Sequence, residues 1–383
     1  MNQRVVYALL GASALAAAGL TAIAQTEPGS VARTTVEPLP AVVTLEGDPE
    51  SSETFVRLRR FDSAQPLREL GTIRHAQHAA RRGALLQRGS RSIVLVTANI
   101  RPPSGHTYES QLFAVENGAT RPLTDGVSVA SAPLVTARGT VLVQRGTDGP
   151  EPVHNESNRG EGMRERVDAL EITAVDVDNG QTRSVFRAQG QSAWLGCALR
   201  DDEALVYHVT TEGAFLRVID ASNGAQRTIL GPIPALARDF SYDRERDEIT
   251  FVRAASVGSD EYEIVTMSAR GGSLRVRHHA PSHHLMPRVL SDGAIAFSPA
   301  GDPGLGLIDR ASNSVRVLSP LGSGSDWVAA EHSNGRWIAV RHLDQQSNLD
   351  TFVVSARDGS RRATFRDDAN PVEIVGFWGG VTP

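Results

Sequence analysis

An all-β fold follows from three features of this sequence. Short apolar runs alternate with turn dipeptides that tolerate positive φ, and the unit recurs along the chain. No stretch carries the long 3.6-residue periodicity of an amphipathic helix.

The turns give the clearest signal. Asn117-Gly118, Asn179-Gly180 and Asn223-Gly224 are dipeptides whose residues accept the positive φ that a tight hairpin needs, and Gly271-Gly272, Ser312-Asn313 and Asp358-Gly359 occupy the same role. Five residues before each second turn residue stands an apolar side chain: Phe113, Val175, Ile219, Met267, Ile308 or Val354. Three residues after it stands an arginine: Arg121, Arg183, Arg227, Arg275, Arg316 or Arg362. If each hairpin closes through two residues, those arginines lie opposite Ala114, Asp176, Asp220, Ser268, Asp309 and Ser355, which predicts a repeated cross-strand pair.

A second hairpin precedes each of these. Met286 to Leu290, Ser291-Asp292-Gly293 and Ala294 to Ser298 form one example; Trp327 to Glu331, Ser333-Asn334-Gly335 and Trp337 to Arg341 form another. Each period thus supplies four short strands. The second turn residues at 118, 180, 224, 272, 313 and 359 are separated by 62, 44, 48, 41 and 46 residues. Four strands at that spacing predict the blades of a β-propeller. An early hairpin, Thr54 to Phe61 and Pro66 to Leu70, adds a blade with Arg68 in the repeated place. Val372 to Trp378 has no hairpin after it, so it is expected to complete a blade with N-terminal strands near Val42 to Leu45, Thr54 to Phe61 and Pro66 to Ile73. The expectation is a seven-bladed β-propeller closed by both ends of the chain, or six blades if the first hairpin is only a cap. Closure removes free sheet edges.

These turns carry a resemblance. A Ser-Asp-Gly-type turn followed by an Asn-Gly or Asp-Gly turn resembles the WD40-like, TolB-type propeller repeat of exported bacterial proteins, across nearly the whole chain after its leader. Ser291-Asp292-Gly293 and Ser333-Asn334-Gly335 lack the proline usual in that repeat, and a charged run from Asp243 to Asp247 replaces it in another blade. The resemblance implies export and a binding scaffold in or beyond the periplasm; propellers serve many tasks, so it implies no chemistry.

Residues 1–24 read as a signal peptide: Arg4, an apolar run from Val5 to Leu20, and Ala22-Ile23-Ala24 before a cut. Residues 25–40 read as a Pro-, Ser- and Thr-rich linker, and 41–383 as the propeller. No later segment is apolar enough to predict a spanning helix, so the expected location is periplasmic or secreted. The 39 basic residues are all arginine, which excludes Schiff-base lysine chemistry and a phosphate loop ending in lysine. A net charge of −5 argues against a nucleic-acid partner. The single cysteine, Cys197, forms neither an internal disulfide nor a thiolate cage, and its apolar neighbours mark it as packing.

Two long connections, Asn99 to Thr107 and Thr147 to Val167, are expected on the face where the second strand of a blade passes to the third, and adjacent loops on a rigid frame suit partner contact. Asn155-Glu156-Ser157 matches a glycosylation sequon. His278, His279, His283 and His284 are the one dense histidine group. Counting from the turns places His284, Asp326, Arg238, His78 and Asn370 near one level at the channel mouth, as candidate binding residues. No His and carboxylate spacing marks a metal site or cofactor, and no nucleophile elbow survives inspection. The functional expectation is a monomeric, non-catalytic scaffold for a protein or cell-envelope polymer. The alternative is a propeller lyase or hydrolase working at the channel mouth.

Overall fold

Two tight turns and one longer connection per repeat make a four-stranded antiparallel sheet, and seven sheets are present, six of four strands and one whose inner position is split between two short strands. The computed structural model describes residues 40–379, except 49–50, 61–65, 77–80, 105–106, 125–127, 130–131, 147–168, 189–191, 234–236, 300–302, 319–322, 347 and 366–371. The expected leader, most of the linker, the Thr147 to Val167 connection and Asn155 lie outside those residues. Among the described residues none is helical.

The first blade uses β1 (Val42–Glu46), β2 (Glu53–Arg59) and β3 (Arg68–Arg74). The second has β4 (Arg81–Arg88), β5 (Arg91–Ser104), β6 (Thr107–Glu116) and β7 (Ala119–Pro122). The third has β8 (Ser128–Val129), β9 (Leu134–Val135), β10 (Val141–Gly146), β11 (Ala169–Val175) and β12 (Thr182–Arg187), with β8 and β9 sharing the inner position beside β10. The fourth has β13 (Ser192–Ala198), β14 (Glu203–Thr210), β15 (Gly213–Asp220) and β16 (Gln226–Ile233). The fifth has β17 (Ala237–Asp243), β18 (Glu248–Ala254), β19 (Tyr262–Ser268) and β20 (Arg275–Ala280). The sixth has β21 (Arg288–Val289), β22 (Ile295–Phe297), β23 (Gly306–Ile308) and β24 (Val315–Val317). The seventh has β25 (Gly324–Glu331), β26 (Trp337–Asp344), β27 (Leu349–Ser355) and β28 (Arg361–Phe365).

The last strand, β29 (Glu373–Phe377), pairs antiparallel with β1 and is the inner strand of the first blade. It also lies beside β25 and β4, so the ring closes. The sequence expectation of seven blades sealed by both chain ends therefore holds.

Burial explains why the middle strands read as unbroken apolar runs. Val141, Leu142 and Val143 are consecutive and all 0% exposed, because both sheet faces meet a neighbouring blade. Val141 and Val143 pack with Leu95 and Leu112 of the second blade, and Leu142 packs with Ala204 and Val206 of the fourth. Seven apolar clusters occur among the described residues, one at each seam. At about 1.5–3 kcal/mol for each fully buried Val or Leu, the seams are the main source of stability.

The arginine pairing needs correction. Of the six arginine-bearing hairpins, only that of the second blade closes through two residues, with Asn117 and Gly118 at φ 52° and 84° and Arg121 opposite Ala114. In the next four blades a longer turn shifts the register. Arg183 faces Ala174, Arg227 faces Val218, Arg275 faces Thr266 and Arg316 faces Leu307. In the seventh blade Arg361, not Arg362, faces Val354. The expected carboxylate partners instead cap their own turns: Asp220 Oδ1 accepts from the Ser222 N–H at 2.7 Å, and Asp309 Oδ1 from the Ser312 N–H at 2.8 Å.

Freed from the strand opposite, the arginines reach the next blade. Arg121 donates to Val177 O, Arg183 to Ala221 O, Arg227 to Ala269 O at 2.8 Å and Arg316 to Arg357 O at 3.3 Å. In the fifth blade Arg277 takes this role, donating to Arg310 O at 3.2 Å and Asn313 Oδ1 at 3.0 Å. Each staple runs from an outer strand to the last hairpin turn of the following blade. The same face carries Thr136 to Asp202 at 2.5 Å, Arg91 to Asp178 at 3.0 Å and the Ser291 N–H to Glu331 at 2.9 Å, each across a seam.

Two stability experiments follow. Arg227→Ala should cost about 1 kcal/mol in urea unfolding, the scale of one hydrogen bond at a half-exposed side chain, whereas Arg275→Ala, at the same repeat position without a staple, should cost under about 0.5 kcal/mol. His208 tests burial at a seam. It is 6% exposed on β14, edge-on to Phe186, with neither ring nitrogen hydrogen-bonded. Burial, and then Arg217, hold its imidazole below the usual range. The unfolded chain therefore takes up this proton first, so stability is full above about pH 6.5 and falls as the pH drops below it. His208→Leu should keep or raise the unfolding midpoint at pH 7.5 and shrink its fall toward pH 5.5.

Candidate functional site

Inner strands start on the face that carries the longer connections, so their first residues surround the channel mouth. Arg238 is the second residue of β17, and β17 is bulged immediately after it: Arg238 faces Val252 and Ser241 faces Thr250, leaving Asp239 and Phe240 opposite one residue. Asp239 takes φ 55°, a conformation that Asp tolerates better than most residues. The bend turns its carboxylate back so that Arg238 Nε donates to Asp239 Oδ2 at 2.9 Å.

His283 and His284 complete this corner. Their rings are 4.0 Å apart between centroids, and His283 meets the Tyr262 ring at 5.2 Å. Burial is the main cause that holds both imidazoles below their ordinary range. Arg238 adds to it for each, His284 adds to it for His283, and Asp239 opposes. At neutral pH the corner therefore offers two uncharged imidazoles beside an Arg and Asp pair, able to exchange hydrogen bonds with a polar ligand.

The other expected residues divide. Asp326 is 0% exposed, and its Oδ1 lies 2.7 Å from His342 Nδ1 on β26, so its carboxylate is enclosed within the seventh blade. His78 and Asn370 lie outside the described residues. Among the described residues, no three His, Cys, Asp or Glu side chains converge to hold a metal ion. Cys197 packs against the cluster between the fourth and fifth blades, and burial pushes its thiol up to about 12. Asp239 and His283 escaped the sequence reading: the bulge that sets Asp239 beside Arg238 leaves no mark in the turn spacing, although His283 belonged to the histidine group.

No protein-family model matches this chain, and no curated protein matches it by sequence. Solved structures do resemble it. An oligogalacturonate lyase in complex with manganese superimposes with TM-score 0.54 at 12% identity, covering 87% of this chain and 86% of the lyase. A puromycin-hydrolyzing peptidase from Mycobacterium tuberculosis gives 0.51 at 13% identity, covering 85% of this chain and 53% of the peptidase, so this chain spans about half of that protein. TolB from Acinetobacter baumannii gives 0.47 at 10% identity, covering 88% of this chain and 67% of TolB. The chain is a seven-bladed β-propeller. TolB-type propellers are among its structural neighbours, and at these identities the likeness concerns the fold.

The electrostatics of the corner can be read by NMR. In Arg238→Gln the imidazole of His284 should titrate at higher pH than in the parent protein, because a cation that opposes its protonation is gone. An unchanged midpoint would place the charge of Arg238 elsewhere.

Proposed function

We propose that this protein is an exported, monomeric scaffold that holds a protein or cell-envelope polymer on its loop-bearing face, with the β5 and β6 hairpin as the principal contact. One observation carries the reading. β5 runs for 14 residues, whereas the corresponding strands β14 and β26 have 8 each, and its pairing with β6 continues to Ser104 and Thr107. Opposite these extra residues β6 adds only Thr107 to Ser110, the register shifting twice on the β5 side, so at about 3.3 Å per residue the hairpin projects about 13 Å beyond its neighbours. Its base is tied down by the Ala76 N–H to Asn99 O at 2.8 Å and by Gln111 Nε2 to Thr124 O at 2.6 Å. A projecting hairpin held at its base on a fixed frame suits recognition. The apolar run before Ala22-Ile23-Ala24 supports export, and among the described residues no helix is long and apolar enough to cross a membrane.

A second reading rests on the Arg238, Asp239, His283 and His284 corner, a polar group of side chains that would bind or turn over a small substrate. Solved propellers of similar shape include a lyase and a peptidase by description.

The test replaces residues 100–108 with Asn-Gly and compares binding to envelope extract by the immobilised parent and variant. Loss of the parent's retained species, with the thermal midpoint changed by less than about 3 °C, is the expected outcome. Retention unaltered by the trim, together with a substrate turnover abolished by His284→Ala, would favour the second reading.

A further inference from the structure

We propose that the seam where the seventh, first and second blades meet binds a small oxyanion, a carboxylate or a phosphate, between Arg81, Arg82 and Arg341. The three guanidiniums come from different places. Arg81 and Arg82 open β4, and Arg341 lies on β26; β29 runs between their blades and starts with Glu373.

The charges do not balance. Arg82 Nη1 donates to Glu373 Oε2 at 2.9 Å, and Arg341 Nη1 lies 4.0 Å from the same oxygen. Arg81 turns to neutral acceptors, giving Nη1 to Thr54 Oγ1 at 2.7 Å and both terminal nitrogens to Gly47 O at 3.3 Å. Arg341 gives Nη2 to Val372 O at 2.7 Å, and its Nε is buried with no acceptor among the described residues. Asp48 attracts Arg81 more weakly than Glu373 does. With both carboxylates counted, three cations face two anions among the described residues.

Burial makes the imbalance costly. It weakens the hold of Arg81 and Arg341 on their protons, with Glu373 as the main opposing influence on each. A cation held partly out of water needs an acceptor, and a planar guanidinium matches the paired oxygens of a carboxylate or phosphate. The opening is present: the Arg82 side chain is 47% exposed and that of Glu373 25%. The inference holds whichever partner the β5 and β6 hairpin takes.

The experiment measures thermal midpoints and calorimetric binding of the purified protein at pH 7.5 with sodium phosphate and with sodium malonate, each against sodium chloride of equal ionic strength. At least one anion should raise the midpoint above the chloride control, and which of them does so separates a phosphate site from a carboxylate site. Arg82→Gln should bind that anion about tenfold more weakly, the loss of one charge-assisted contact. Glu373→Gln should bind it several-fold more tightly, because the competing carboxylate is gone. The proposal is overturned if neither anion exceeds chloride, if Arg82→Gln binds like the parent, or if Glu373→Gln binds more weakly. A purely structural role for Glu373 predicts the last of these.

Discussion

Every blade of this protein depends on burying both of its sheet faces against its neighbours. A four-stranded meander with apolar residues on two sides, such as Val141, Leu142 and Val143 on β10, has no stable existence in water alone. The circular arrangement follows from that requirement, since an open stack would leave two apolar faces exposed. Stability is therefore distributed over seven seams, with each apolar cluster bridging two blades and none lying within one.

The two ends of the ring are built differently. On the face of tight turns, arginine side chains cross from one blade to the carbonyls of the next, and Asp202, Asp178 and Glu331 add side-chain links. A guanidinium is long, permanently charged and rich in donors, and so suits contacts between turns whose own carbonyls are left over. On the opposite face the connections lengthen, polar side chains gather in local groups, and one hairpin stands out from the body. One face of the ring is thus cross-linked from blade to blade, and the other carries the longer and more varied connections.

Much of the fold was legible because its determinants are local. An Asn-Gly turn specifies its hairpin, and four strands repeated at a steady spacing specify a blade; even the union of Val372 to Trp378 with the N-terminal strands followed from an unpaired strand at each end. The arginines show where such reasoning stops. Their repetition was visible, but the partner of Arg227 is Ala269 O, 42 residues away in another blade, and no spacing within one hairpin reports it. Levels at the channel mouth blurred for a related reason. Bulges in β17, β13 and β25 add a residue to the inner strand, so counting inward from a turn slips: Arg238 and His284 met, whereas Asp326 turned inward to His342.

Strand β29 follows every other strand in the chain and yet occupies the innermost place of the first blade. During synthesis the piece that seals the circle thus leaves the ribosome after the other described strands. Until it arrives, β1 keeps an unpaired edge and the seam of the seventh blade stays open, so the native state is withheld from any prematurely terminated chain.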